Sequence, residues 1–259
     1  MSAMQHFTPA FFAFLRELHE NNNRDWFAVN RSRFLADVER PMLAFINDFA
    51  PALRSISPAY IVDRRRIGGS MYRIYRDTRF SDDKTPLKTY VAAHFPSRRF
   101  GRSGGAGLYV EITPGWVWMG GGMYMPSGPD LQAIREHVAD TYPRIHRIVT
   151  SPSFNKTVGP LGGDQLTRVP RGYLKDHPAA DYLRYKQFLA GCEYPPQFAT
   201  SARFYSELLS VFRTITPLVR FLNQPLEARL TPPPLLTDAA PPRDPRRAAG
   251  LDQRAAPMW

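Results

Sequence analysis

Apolar side chains recur at helical spacing through the first 54 residues of the chain. A first stripe follows Thr8, a suitable N-cap, and Pro9, whose missing N–H fits the first helical turn. The asparagines at positions 21–23 predict an interruption, because their side chains compete for backbone hydrogen bonds. A second stripe predicts further helix, with a new start or a kink at Pro41. The stripes predict a core formed by Phe11, Phe12, Leu15, Leu18, Trp26, Phe27, Phe34, Val38, Met42, Phe45, Ile46 and Phe49.

The middle of the chain changes to strand character. Alternation places Leu108, Val110 and Ile112 on one face of a strand. Pro114 and Gly115 then predict a type II turn, with a positive φ at the glycine. The three glycines at 120–122 either end the returning strand or let another backbone approach closely. The predicted strands cover residues 71–75, 90–95, 108–112 and 116–119.

Helices and loops follow the strands. The expected elements are helices over 129–140 and 142–150, loops over 151–178, and short helices over 179–190 and 197–223, with a kink at Pro217. Residues 225–259 include 8 prolines, a composition typical of disorder. The sequence therefore predicts one α+β domain over residues 1–224: a mainly antiparallel sheet with flanking helices and an N-terminal helical segment. A disordered proline-rich C-terminal tail over 225–259 is expected to follow.

Positive charge is concentrated in one segment. The formal net charge is +11, and residues 63–103 alone carry 11 basic and 4 acidic side chains, a net +7. A basic field confined to one segment favours an anionic partner there. The alternative is a solvated surface whose charge keeps the protein soluble.

Cysteine content and apolar runs exclude several classes of protein. Cys192 is the only cysteine, which excludes an intramolecular disulfide framework and a cysteine-rich zinc site. No apolar run approaches the roughly 18–20 residues of a membrane span. The first ten residues also lack the basic and apolar regions of a signal peptide. We therefore expect a cytoplasmic protein without a membrane partner.

Formal catalytic motifs lack the context that their chemistry needs. Residues 101–105 match G-x-S-x-G, but a nucleophile elbow needs a strand before the serine and a helix after it, and neither is predicted here. The six histidines lack metal-site spacing, so no metal site is expected, and the sequence identifies no cofactor and no oligomeric state. His177 lies in a predicted loop beside Asp176, which makes it a candidate for acid–base chemistry.

Residues 72–88 combine arginine, lysine and aspartate at unusual density. Guanidinium groups suit bidentate binding of phosphate or carboxylate, and lysines add a point charge. Asp77 lies between two arginines, where it could orient them, bind a metal or act as a base. In the alternative interpretation Asp77, Asp82 and Asp83 pair with their basic neighbours in a structural network, each surface pair contributing about 0–1 kcal/mol.

Several motifs of the chain resemble one family. The central motif is R-I-Y-R-D-T-R-F-S at residues 73–81, followed by D-K-T-P-x-K at 83–88. Further matching pieces lie within residues 22–27, 107–112 and 170–178. On these motifs the chain is similar, over about residues 7–223, to the family catalogued as domain of unknown function 2461. The resemblance implies no activity, because none is established for the family.

The preferred hypothesis is a soluble domain with a basic pocket for an anionic ligand, expected to carry phosphate. Asp77 and His177 are the candidate catalytic residues if a proton is transferred. The residues expected to bind the anion are Arg73, Arg76, Arg79, Lys84 and Lys88, with Arg171 and Lys175 from a later loop.

Two other classes of function stay open at this point. A nucleic-acid-binding module would use the basic side chains at 64–66, 98–99 and 102 to follow phosphates, and aromatic neighbours to stack bases. Those neighbours are Tyr72, Tyr75, Phe80 and Phe100. The third possibility is a non-catalytic interaction protein whose arginine–aspartate network is purely structural.

Overall fold

The computed structural model describes residues 5–79, 81–101 and 104–230. Its helices are α1 (Pro9–Glu20), α2 (Arg24–Arg33), α3 (Arg40–Ile56), α4 (Gly128–Asp140), α5 (Tyr142–Val149), α6 (Pro152–Val158), α7 (Ala180–Leu183) and α8 (Phe204–Glu227). Its strands are β1 (Val91–Pro96), β2 (Gly107–Ile112), β3 (Val117–Met123) and β4 (Phe188–Tyr194). In these ranges, none of the helices combines the length and the apolar character that crossing a bilayer requires.

The N-terminal segment folds as three consecutive helices, as the apolar stripes predict. Helix α1 begins with Pro9 after an extended Thr8, although the Thr8 side chain makes no capping hydrogen bond. The predicted interruption is confirmed, and Asn23 caps α2 by accepting a hydrogen bond from the Trp26 N–H at 2.8 Å. A π-helical turn over Phe34–Glu39 leads into α3. Pro41 lies in the first turn of α3.

The four strands form one antiparallel sheet in the order β1-β2-β3-β4, so the predicted α+β class is confirmed. Val110 of β2 lies opposite Ala93 of β1 and Met119 of β3. Leu108, Val110 and Ile112 have no exposed surface, as their alternation predicts. We call their side of the sheet the inner face, where α8 packs, and the other side the outer face.

The turn between β2 and β3 differs from the predicted type II turn. Gly115 has no positive φ, so the predicted left-handed glycine is wrong. The Thr113 hydroxyl oxygen accepts hydrogen bonds from the backbone N–H groups of Gly115 at 3.1 Å and Trp116 at 2.9 Å. Because the side chain satisfies both donors, the turn closes without a left-handed residue.

Residues 71–75 do not form the predicted strand. Met71 makes an isolated bridge with Ala93, whereas Tyr75 makes one with Leu87. The first part of the segment therefore pairs with β1 and the second part with the loop before β1. This change of partner prevents a continuous ladder, and local strand propensity cannot reveal it.

The predicted helix over residues 179–190 is also wrong beyond its first few residues. Helix α7 has only four residues, and β4 begins at Phe188. In β4, Gly191 pairs with Gly120 of β3, and the small residues on both strands let the two backbones approach closely. The glycines at 120–122 thus lie inside a strand rather than ending it, and the predicted close approach is confirmed.

Helix α8 begins and ends later than the helix predicted over residues 197–223. It contains both Pro217 and Pro225 and ends at Glu227, past the expected domain boundary at residue 224. The remainder of the predicted tail, residues 231–259, lies outside the described residues. The predicted loop stretch over 151–178 also contains the short helix α6.

Candidate functional site

The outer face of the sheet carries a group of aromatic and polar side chains. Because side chains alternate along a strand, Tyr109 and Glu111 of β2 lie opposite the inner-face residues. In the sheet register His94 pairs with Tyr109, and Trp118 pairs with Glu111. These four side chains are half-buried, in contrast to the fully buried inner face.

Glycines give these rings room to lie against the sheet. A Cβ atom on Gly107 would lie 2.4 Å from the Nε2 atom of His94. On Gly120 or Gly191 a Cβ atom would lie 2.5 Å from the six-membered ring of Trp118. Any side chain at these positions would displace a ring, so the glycines set the floor of the outer face.

A cleft of about 680 Å³ occupies the outer face, and we call it the aromatic cleft. The ring centroid of Tyr109 lies 6.0 Å from those of both Tyr72 and Trp118, with interplanar angles of 70° and 53°. Volume and lining are typical of a small-molecule site. The side chains that line it include Tyr72, Lys88, Tyr90, His94, Tyr109, Glu111, Trp116, Trp118 and Tyr124.

Tyr109 and Glu111 form a hydrogen-bonded pair within the aromatic cleft. The Tyr109 hydroxyl donates to the Oε2 atom of Glu111. Burial raises the pKa of Glu111, while the Tyr109 hydrogen bond and the nearby Lys88 ammonium act in the opposite direction. Burial and the Glu111 charge raise the pKa of Tyr109 far above its usual value, so Tyr109 keeps its proton at neutral pH.

Lys88 lies where the aromatic cleft meets a second cavity. Its ammonium nitrogen lies 4.9 Å from the ring centroid of Tyr72 and 5.7 Å from that of Tyr90. The Lys88 backbone N–H donates to the Ile74 carbonyl at 2.8 Å, which holds this loop against the preceding segment. Lys88 and Tyr90 line both cavities.

The second cavity, of about 510 Å³, lies beside the loop of the central motif, and we call it the loop cavity. Arg76 donates from Nη1 to Asp83 and to the Thr85 hydroxyl. The Arg76 hydrogen bond, aided by Thr85, lowers the pKa of Asp83 to about 2. A hydrogen bond from Arg79 likewise lowers the pKa of Asp77 to about 2. The lining residues of the loop cavity include His19, Asn22, Arg76, Asp77, Asp83, Thr85, Lys88 and Tyr90.

Asn22 fastens this loop to the N-terminal helices. Its side-chain amide donates to the Leu87 carbonyl at 2.9 Å and accepts from the Leu87 N–H at 3.1 Å. The amide therefore replaces a strand partner for Leu87, whose side chain is buried. Neither periodicity nor charge indicated this role, although Asn22 belongs to one of the matching motifs.

The structure brings part of the predicted anion-binding set together. Arg76, Asp77 and Lys88 line the loop cavity, and Arg76 and Lys84 line a neighbouring cavity of about 450 Å³. The Lys84 ammonium donates to the Thr78 carbonyl at 3.0 Å. The Arg79 guanidinium forms an ion pair with Asp77 at 2.7 Å. Arg73 is exposed.

The later loop, which carries Arg171, Lys175 and His177, lines neither the aromatic cleft nor the loop cavity in the described part of the chain. His177 accepts a hydrogen bond from the Ala179 N–H at 3.0 Å, at the start of α7. Tyr173 of the same loop lies close to charged side chains of α4. Arg171 and Lys175 are exposed, and within the described ranges neither they nor His177 line the aromatic cleft or the loop cavity. Their predicted roles in the same pocket thus receive no geometric support.

The basic residues of the nucleic-acid hypothesis are partly neutralised. Arg65 pairs with Asp63 at 2.6 Å, and Arg66 pairs with Glu39 at 2.6 Å. Tyr72 lies in the aromatic cleft rather than in a continuous basic track. Outside the described residues lie Phe80, Arg102 and Ser103. The G-x-S-x-G match contains Ser103, so its context is not described either.

Sequence reasoning missed the outer-face residues Tyr109, Glu111 and Trp118 as a site. The signal was present in the strand alternation, which leaves a glutamate and two aromatic residues on the face opposite the predicted core.

For metals, the described stretches hold no cluster of three or more His, Cys, Asp or Glu side chains able to ligate an ion.

Comparison with models of protein families gives a match. A family model described as "Conserved hypothetical protein (DUF2461)" matches residues 10–221, which confirms the resemblance seen in the sequence. Comparisons with curated proteins and with solved structures gave no match.

Proposed function

The chain belongs to the DUF2461 family, and we propose that it binds a small anionic ligand whose charged group contacts Arg76 and Lys88. The observation that carries the proposal is the position of Lys88 between the loop cavity and the aromatic cleft. An anion in the loop cavity would reach the Lys88 ammonium, and the remainder of the ligand would extend into the aromatic cleft. A phosphate-bearing ligand fits this charge best.

Arg76 retains hydrogen-bonding capacity for an anion. A guanidinium group has five N–H donors, and in the described part of the chain Arg76 uses only Nη1, towards Asp83 and Thr85. The Nε and Nη2 donors form the fork that binds a phosphate or carboxylate through two parallel hydrogen bonds. Asp83 therefore orients Arg76 while leaving that fork for a ligand.

The direct test is isothermal titration calorimetry with inorganic phosphate and pyrophosphate. Lys88→Met keeps the length of the side chain against the tyrosine rings and removes its charge, so we expect about tenfold weaker binding. Arg213→Gln removes a charge from an exposed position on α8 and serves as the matched control, with unchanged affinity. Equal affinity of the wild type and Lys88→Met would contradict the proposal.

Asp83→Asn separates an anion site from a purely structural network. The asparagine carbonyl can still accept from the Thr85 N–H, which bonds to Asp83 Oδ1 at 2.9 Å, but it no longer neutralises Arg76. If Arg76 binds the anion, Asp83→Asn changes phosphate affinity by at least about twofold, upwards because a competing negative charge is removed or downwards because Arg76 loses the acceptor that orients it. If the network is only structural, phosphate affinity stays the same.

Nucleic acid as the partner has weaker support, because Arg65 and Arg66 are engaged by carboxylates. Binding of a generic oligonucleotide would have to fall steeply between about 50 and 200 mM salt if several phosphates were contacted.

We also propose that the protein is cytoplasmic, as expected from the sequence. Asp77 lines the loop cavity and stays a candidate for proton transfer if turnover of the bound ligand is observed, whereas in the described part of the chain His177 lines neither the loop cavity nor the aromatic cleft.

A further inference from the structure

We propose that the ligand is a nucleotide, whose base stacks on Trp118 in the aromatic cleft and donates a hydrogen bond to Glu111. This inference rests on the proposed function, since it assigns the part of the ligand that extends beyond its anionic group. The phosphate would lie at Arg76 and Lys88, and the base would lie over the outer face of the sheet.

Trp118 provides the stacking surface. One side of its indole lies against the backbone of Gly120 and Gly191, where an added Cβ would come within 2.5 Å of the ring. Trp118 also lines the aromatic cleft, so part of its ring borders the space that a base would enter. Stacking of a base on an aromatic side chain tolerates any base, because every base has a π-face.

The aromatic rings near Trp118 are tilted relative to one another. The Tyr109 ring is inclined by 53° to Trp118 and by 70° to Tyr72, with centroid distances of 6.0 Å in both pairs. A planar group stacked on the indole would be tilted relative to the Tyr109 ring, a geometry that aromatic groups favour. The volume of about 680 Å³ is far more than a phosphate group fills.

Glu111 gives the cleft a hydrogen-bond preference. Its Oε2 atom accepts from the Tyr109 hydroxyl, and within the described ranges its Oε1 atom has no hydrogen-bond partner. A carboxylate repels phosphate and accepts N–H donors, which nucleobases carry on their edges. Glu111 therefore directs the phosphate towards Lys88 and the donor-bearing base towards the cleft.

The experiment is calorimetric titration of the full chain with four kinds of ligand. These are the four ribonucleoside 5′-monophosphates, the matching nucleosides, ribose 5-phosphate and inorganic phosphate. We expect at least one nucleotide to bind at least tenfold more tightly than ribose 5-phosphate. We expect ribose 5-phosphate to bind about as tightly as inorganic phosphate.

Two variants locate the base. Trp118→Ala should weaken nucleotide binding by about tenfold and leave phosphate binding unchanged, because only the base stacks on the ring. Glu111→Gln keeps the shape of the side chain and should weaken nucleotide binding by about fivefold. Glu193→Gln is the matched control, because Glu193 pairs with Trp118 in the sheet but is exposed and does not line the cleft. Thermal unfolding of each variant establishes that it is folded. If Trp118→Ala does not fold, the nucleotide affinity of Glu111→Gln decides the test.

The outcomes separate this inference from the proposed function. If ribose 5-phosphate binds as tightly as every nucleotide, the base makes no contact and the inference fails while the anion site stands. If nucleosides bind as tightly as nucleotides, the proposed anion contact fails instead. If no ligand binds, both fail. A fifth titration, with a short single-stranded oligonucleotide, completes the test: if it binds far more tightly than any mononucleotide, a strand-binding surface replaces the nucleotide site.

Discussion

The two faces of the sheet use the same strands for different purposes. On the inner face Leu108, Val110 and Ile112 are fully buried beneath α8, and their packing stabilises the fold. On the outer face Tyr109 and Glu111, from the same strand, are half-buried around a cleft of about 680 Å³. Inner-face changes should therefore cause the largest losses in the free energy of unfolding, whereas outer-face changes should alter binding and have smaller effects on stability.

The largest effect is expected from Phe212→Ala, on the helix that covers the inner face. Phe212 has no exposed surface, and its ring centroid lies 5.8 Å from that of Phe49 and 5.9 Å from that of Phe95. Truncation of so large a buried ring should lower the free energy of unfolding by about 3–5 kcal/mol. Urea unfolding followed by circular dichroism measures this loss, and a loss below about 1 kcal/mol would contradict the described core.

A smaller effect is expected from Gly120→Ala, in the floor of the outer face. The added Cβ would lie 2.3 Å from the Ala190 carbonyl oxygen and 2.5 Å from the Trp118 ring. We expect a loss of about 1–3 kcal/mol in the free energy of unfolding, because neighbouring backbone must move.

Gly115→Ala is the matched control for Gly120→Ala. Gly115 is exposed, lacks a positive φ and has its nearest neighbour 3.9 Å from an added Cβ. Its unfolding midpoint in urea should equal that of the wild type. A large loss of stability in Gly115→Ala would contradict the described turn and support the type II turn that the sequence predicts.

A smaller, pH-dependent effect is expected from Glu111→Gln on the outer face. Burial raises the pKa of Glu111 in the folded chain, so the ionised carboxylate disfavours folding above that raised pKa. The penalty disappears as the pH falls below the pKa of Glu111 in the unfolded chain, where both states are protonated. Glu111→Gln should therefore unfold at a higher temperature than the wild type at pH 8 and at a similar temperature near pH 4. A constant difference from pH 4 to pH 8 would contradict this assignment.

The smallest effect is expected from Arg79→Gln. Arg79 and Asp77 form a solvent-exposed pair, with 76% of the Arg79 side chain accessible, and such pairs add little to stability. The unfolding temperature at pH 7 should match that of the wild type within error. A clear loss of stability at pH 7 would indicate that the network holds the fold.

Local patterns predicted the elements whose partners are close in sequence. The N-terminal helices and the inner-face alternation at Leu108, Val110 and Ile112 are confirmed, because helical and strand periodicities are properties of short segments. Strand β4 was missed because its pairing with β3 joins residues about 70 positions apart. The predicted strand over residues 71–75 is wrong for a related reason, because the two ends of the segment pair with different parts of the chain.

The candidate site was predictable only in part. Charge density drew attention to Arg76 and Lys88, which do line one cavity. It left open whether Asp77 pairs with its basic neighbours, because the choice of the Arg79 partner depends on the path of the loop. Charge also gave no indication of Trp118 or Glu111, whose roles follow from the glycine floor and from the sheet register.

The most direct test of the anion site is an electron-density map from crystals grown with inorganic phosphate. The proposed function predicts tetrahedral density in the loop cavity, within hydrogen-bonding distance of the Arg76 guanidinium and the Lys88 ammonium. The same crystals of Lys88→Met should show that density weakened. Ordered phosphate found only elsewhere on the surface, with the loop cavity empty, would contradict the proposed function.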